Sequence, residues 1–353
     1  MTLILSLANK GVVLQLSDRR LTELAPTARR AKIITDEANK AGALRCGDAR
    51  VAYAFTGLAI SDSRNPRFDT RTWLKKALLE AAASDSKIEA ITNCFVAIAT
   101  REFATNPVIR ALPKSSRRLS VMLSGFWNTT AGCIPAGWII TNYQRNFDLG
   151  AGAPDSRDPW SEFKCWRWHE SVPSSSTYAH VERLGQWNGV RAEAFQRLKT
   201  LLWKGLPPHA LLGSALKVMH AASDSEKTIG TVGKQISIVI VPMNISEPIQ
   251  FCAESSVVTN ELFVPDMLVA VGSTERKWIT LHLTKEPSDE SSLAAIVPRV
   301  HRKAPCPCGS GLTYERCHRM SRRDIPRRAQ SRDRRSLEVQ LQLSAYGIAP
   351  DAA

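Results

Sequence analysis

The chain opens with two short apolar runs, residues 3–7 and 12–16, separated by the polar turn Asn9-Lys10-Gly11. Strand-like runs joined by such a turn read as a β-hairpin, and this one starts at the second residue. A hydroxyl residue, Thr2, heads the first strand, and Asp18-Arg19-Arg20 closes the second. Chain starts commonly fray. One this apolar is expected to be buried in a sheet, and a buried start headed by Thr2 is a place where chemistry can happen.

Beyond the hairpin, residues 21–30 are polar and basic and read as a surface connection, and residues 31–36 as a third short strand. Residues 51–59 are apolar and break at Gly57, as a central strand does where it meets a site. A helix is expected over 71–83, from the spacing of Trp73, Leu74, Ala77, Leu78 and Ala81. The capping-box pattern Ser86-Lys87-Ile88-Glu89 announces a second helix, which runs through Ile91, Phe95, Ile98 and Phe103 and ends before Pro107. Residues 119–125 and 137–142 are strand-like. Residues 151–188 lose periodicity, contain Trp160, Trp166, Trp168 and Trp187, and read as an irregular insertion. A second helix pair follows at 191–203 and 209–222, then a strongly β-prone run at 235–241 and short strands at 249–252, 268–271 and 278–283. Paired helices alternating with strands suit an α+β layered architecture.

The chain has 353 residues, 44% apolar and 23% charged, enough for a sizeable core. No apolar run reaches the ~18 residues of a membrane span, and no basic segment precedes residues 3–7 as in a signal peptide. A cytoplasmic protein with no membrane partner is expected. The formal net charge is +14. Between His301 and Arg335 eleven Lys or Arg stand against three acids, so over half of the excess sits in a tenth of the chain. An anionic partner would dock there. Of eight cysteines, Cys46, Cys94, Cys133, Cys165 and Cys252 are scattered and read as small buried hydrophobes.

The other three cluster. Cys306, Cys308, Cys317 and His318 fall within thirteen residues, a soft donor set suited to tetrahedral Zn²⁺. Pro307 stiffens the Cys-x-Cys turn, and Gly309 and Gly311 let the backbone reverse. Four protein ligands leave no open position, so the zinc would be structural.

Taken in order, Thr2, Asp18, Arg20, Lys32 and Gly57 give the chain a resemblance to the proteasome β-subunit branch of the N-terminal nucleophile hydrolases. The spacing from Thr2 to Asp18 and Arg20 is in that family's register, and Lys32-Ile33-Ile34-Thr35-Asp36 and Ala54-Phe55-Thr56-Gly57-Leu58-Ala59 look like its stretches. The resemblance covers about residues 2–241 and implies a four-layer αββα sandwich. It also implies roles: Thr2 as nucleophile after loss of Met1, Lys32 beside its hydroxyl, Asp18 holding that lysine, and the Gly57 N–H facing the oxyanion. The free α-amine would be the base, since its ordinary pKa lies near neutrality. The family's Asp and Ser-Gly, which help position the amine, are not matched by the corresponding residues 226–233: Asp224 lies earlier, and Thr231 and Gly233 are only approximate stand-ins.

Residues 303–318 closely resemble the SEC-C motif, a zinc knuckle that docks protein or ribosome partners. The expected organisation is therefore a body over 1–245 with the insertion 151–188, a β-rich extension over 246–300, the SEC-C motif over 301–320 and a basic tail over 321–353. Three functions stand open. The first is a threonine-type amide hydrolase recruited by the knuckle. The second is a non-catalytic scaffold or adaptor, and the family's habit of assembling makes a homo-oligomer compatible with either. The third is a nucleic-acid or ribosome binder acting through the basic tail.

Overall fold

A computed structural model describes residues 2–280 apart from 24–31, 37, 62–67, 144–157, 170–177, 186, 188, 207, 226–231, 255–265 and 272–274. The cysteine cluster and the basic tail lie outside the described residues.

In chain order the elements are β1 (Ile4–Asn9), β2 (Val12–Asp18), β3 (Leu21–Glu23), β4 (Lys32–Thr35), β5 (Ala41–Arg45), β6 (Ala49–Gly57), α1 (Thr70–Ala81), α2 (Ile88–Thr105), α3 (Pro107–Arg110), β7 (Leu119–Thr129), β8 (Gly132–Thr141), β9 (Lys164–His169), β10 (Ala179–Leu184), α4 (Ala192–Trp203), α5 (Pro208–Ser223), β11 (Ile236–Pro242), β12 (Gln250–Glu254), β13 (Asp266–Val271) and β14 (Glu275–Thr280). One sheet runs β10-β1-β2-β11-β12 and a second runs β14-β13-β5-β6-β7-β8-β9, while β3 and β4 pair by themselves.

The opening hairpin forms as the pattern dictates. The Asn9 side chain accepts from the N–H groups of Gly11 and Val12, both at 2.9 Å, and closes the turn. Alternation then sorts the side chains to two faces. Leu3, Leu5, Leu7, Leu14 and Leu16 join Ile236 and Ile238 in a core with Leu198 and Leu202 of α4 and Leu211 and Ala215 of α5. On the opposite face Ile4, Ala8, Val13, Val239 and Val241 meet Ala41, Ala43, Ala52, Ala54 and Met122 of the second sheet. Small alanines on one side let the two sheets approach closely. The far face of the second sheet, with Val51, Tyr53, Phe55, Val121 and Trp138, packs on Leu74 and Leu78 of α1 and Ile91, Phe95 and Ile98 of α2.

Several expectations need correction. The stretch 151–188 is not simply irregular. It supplies β9, at one edge of the second sheet, and β10, which pairs with β1. Edge strands are only half covered, so Lys164-Cys165-Trp166-Arg167-Trp168 alternates too weakly to read as a strand. Its tryptophans pack on the body: Trp166 stacks on Trp160, Trp168 on His180, and Trp187 is buried against Phe195. The strands expected as a separate extension belong to the same two sheets. β12 pairs with β11, and β13 pairs parallel to β5. All the described elements fall in one compact unit. Residues 21–23, read as connection, form β3 opposite β4.

The start of α2 is also held differently. Ser86 makes no capping bond; the Asp48 carboxylate accepts from Ile88 N at 2.7 Å through one oxygen and from Trp127 Nε1 at 3.0 Å through the other. A residue forty positions away caps the helix, which no local pattern reveals. Asp48→Ala should therefore cost about 2 kcal/mol in urea unfolding, from one lost cap and one lost bond to the indole of Trp127. Ser86→Ala should cost little.

Candidate functional site

Thr2 lies just before β1 and is 3% exposed. Its Oγ1 accepts a hydrogen bond from Lys40 Nζ at 2.7 Å. Its backbone is pinned by Thr56 of β6, whose Oγ1 accepts from Thr2 N at 3.2 Å and donates to Thr2 O at 2.9 Å. Gly185, at the end of β10, has φ +95, and a Cβ there would sit 1.9 Å from Thr2 O. Only glycine meets both demands.

Asp18 closes β2 fully buried. Oδ1 accepts from Leu3 N at 2.6 Å, and Oδ2 accepts from Arg20 N and Gly233 N, each at 3.2 Å. Oδ2 is also 3.6 Å from Lys40 Nζ. One carboxylate thus ties the start of the chain, the exit of β2, the approach to β11 and the lysine. Lys40, which immediately precedes β5, also donates to the carbonyl of Arg20. Burial pushes its ammonium below the ordinary value of 10.5, and the nearby Asp18 charge opposes that shift.

The lysine at Thr2 is therefore Lys40, whereas the sequence pointed to Lys32. The physical reason is the β3–β4 hairpin, inserted between β2 and β5. The strand that follows Asp18 in sequence is not the next strand of the body, and counting strands selects Lys32. That residue lies on β4 opposite Glu23, and its side chain is not among the described ones. Arg20 contributes its carbonyl to Lys40, while its guanidinium pairs with Asp36 through Nε and, at 3.2 Å, Nη2. Gly57 follows Thr56 at the end of β6. Its φ is +107, and a Cβ would meet Arg118 O at 2.3 Å, so the strand turns there on a residue without a side chain. Lys40 carried no local signal in the sequence, and Thr56 only its place in the stretch that ends at Gly57. Thr231 lies outside the described residues, and Asp224, 57% exposed, pairs with Lys234 at 2.7 Å.

Chemically this is a buried hydroxyl beside an amine of depressed pKa with a carboxylate behind it. Such a set favours loss of the hydroxyl proton. Among the described residues no group of His, Cys, Asp and Glu is placed to hold a metal ion, and Cys306, Cys308, Cys317 and His318 fall outside them. No helix among them is long and apolar enough to cross a membrane.

Comparison with known proteins adds one firm assignment. Residues 302–319 match the SEC-C motif. The chain carries a SEC-C motif. Over 56 residues the chain is 41% identical to protein translocase subunit SecA of Neisseria meningitidis, in both serogroup A and serogroup B strains. That stretch is 15% of this chain and only 6% of SecA. Among solved structures, Anbu (ancestral beta-subunit) from Yersinia bercovieri is similar at a TM-score of 0.41 and 10% identity, over 68% of this chain and 82% of Anbu.

The electrostatics of Lys40 set a pH dependence. Its folded pKa lies below its unfolded one, so between the two the unfolded chain binds the extra proton. Its contribution to stability then rises with pH, from the depressed pKa up to near 10.5. Urea unfolding across that window should show this rise in the wild-type chain and lose it in Lys40→Met.

Proposed function

We propose that the body is a threonine-type N-terminal nucleophile amide hydrolase, built as a four-layer αββα sandwich, and that the SEC-C motif brings it to its target. The observation that carries this reading is the Lys40–Thr2 hydrogen bond at 2.7 Å with Asp18 behind the lysine. The layered body is supported by the three core clusters: helices against each outer face, and the two sheets against each other.

In this mechanism Met1 is removed, and the α-amine of Thr2 takes the Oγ1 proton as Oγ1 adds to the amide carbon. Lys40 stabilises the charge developing on Oγ1, and Asp18 holds Lys40. The N–H at Gly57 faces the oxyanion. The C–N bond then breaks, the amine leaves with the proton, and water hydrolyses the resulting ester on Thr2. Arg20 acts through its carbonyl, which fixes Lys40.

In the SEC-C motif, Cys306, Cys308, Cys317 and His318 form a donor set fitted to structural Zn²⁺. The knuckle would dock a protein or ribosome partner, and the arginines beyond it would add attraction for an acidic surface or nucleic acid. A second reading, a non-catalytic scaffold with the same knuckle, is favoured by one observation: with Met1 attached, Thr2 is only 3% exposed.

Intact mass decides first: the hydrolase reading expects a chain lacking Met1, and a retained Met1 sinks it. On peptide amides, Thr2→Ala should abolish hydrolysis, and Lys40→Met should lower kcat by about 100-fold or more. Undiminished turnover in Thr2→Ala assigns the activity elsewhere. Separately, elemental analysis should find one zinc per chain. Cys306→Ser and Cys317→Ser should release it and leave the thermal unfolding of the body unchanged.

A further inference from the structure

The amine base must be held with its lone pair aimed at Oγ1. The resemblance assigns part of that task to residues just before the strand at Gln235, and the described residues there are engaged elsewhere. Asp224 is paired with Lys234, and the N–H of Gly233 is spent on Asp18. With Met1 still attached, the peptide N–H of Thr2 donates to the hydroxyl of Thr56, buried on β6, at 3.2 Å; loss of Met1 would turn that nitrogen into the α-amine.

The direction of its bonds matters more than its distance. A hydroxyl carries one proton, and that of Thr56 goes to Thr2 O at 2.9 Å. Only lone pairs are then left to face the nitrogen. Thr56 can accept an N–H from the amine, but it cannot donate to the amine's own lone pair and block it. Because the same oxygen grips both the N–H and the carbonyl of Thr2, it also fixes the backbone of Thr2 and with it the direction of the Cα–Cβ bond that carries Oγ1. Gly185, against Thr2 O, closes the other side of this clamp.

We propose that Thr56 is the positioning residue for the α-amine of Thr2, holding it by one N–H so that its lone pair is free for the Oγ1 proton. This rests on the N-terminal nucleophile reading and names the group that replaces the unmatched downstream pattern. The acceptor bond also favours the charged form of the amine and so raises its pKa. Among the described residues, the charged groups near Thr2 include Lys40 on Oγ1, Asp18 behind it, and the Arg20–Asp36 pair beyond. They are the same in every variant below.

The test uses the full chain released from a cleavable fusion with Thr2 as its first residue. The titration of its α-amine is read by competitive acetylation with acetic anhydride and mass spectrometry, and kcat and KM are measured on peptide amides. Thr56→Ser, which keeps the hydroxyl, should titrate and turn over like the wild type. Thr56→Val, which keeps the shape, should lower the amine pKa and reduce kcat by about tenfold or more at unchanged KM. Thr56→Ala serves if the valine variant does not fold. An amine that titrates in Thr56→Val or Thr56→Ala as in the wild type overturns the proposal, and so does a shift of equal size in Thr56→Ser. If the wild-type chain has no turnover, the hydrolase reading fails while the acetylation still decides the role of Thr56.

Discussion

The buried carboxylate of Asp18 is the interaction on which the rest of this structure depends. It receives N–H groups from Leu3, Arg20 and Gly233 and faces the ammonium of Lys40. Three separate pieces of chain therefore converge on one side chain inside a core. A carboxylate so deep in an apolar interior is tolerated only when its acceptor sites are filled and a counter-charge is near. Removing such a partner typically costs about 3–5 kcal/mol. The same network that makes the N-terminal strand part of the fold also sets Thr2 beside Lys40. Stability and candidate chemistry share their key residue.

The elements around this point explain why it can exist. β1 and β2 are buried on both faces, one toward α4 and α5 and the other toward the second sheet. Sheets covered on both faces read as nearly continuous apolar runs, and the first seventeen residues have that character. The alanines of β5 and β6 thin the second sheet where the two meet. β6 then brings Thr56 against the backbone of Thr2, and Gly57 turns the chain away.

The helices and central strands were legible in the sequence because their periodicity is local. Leu74, Ala77, Leu78 and Ala81 repeat on one face of α1, and β11 is a plain β-branched run. Edge strands were not: among the described residues β9 and β10 end their sheets and are half exposed, so the tryptophans of β9 read as loop residues. The cap of α2 is not written in its own stretch, because Asp48, which forms it, lies on a different segment. At the site, Thr2 and Asp18 stood out by their spacing, and Gly57 because an apolar run breaks there. Lys40 did not, because the β3–β4 hairpin separates it from β2 and places another lysine first in line.

The sequence by itself determined the alternation of strands and helix pairs, the burial of the chain's opening, and the SEC-C motif over residues 302–319. These are written in local spacing, which one segment carries alone. Only the tertiary structure decided which lysine meets Thr2, that Thr56 clamps its backbone, and that β9, β10 and β12 to β14 complete two sheets shared with the body. Those facts arise from pairings between residues 38 to 54 positions apart at the site, and still farther apart where β10 pairs with β1 and β13 with β5. No short stretch of sequence contains the partner that gives it meaning.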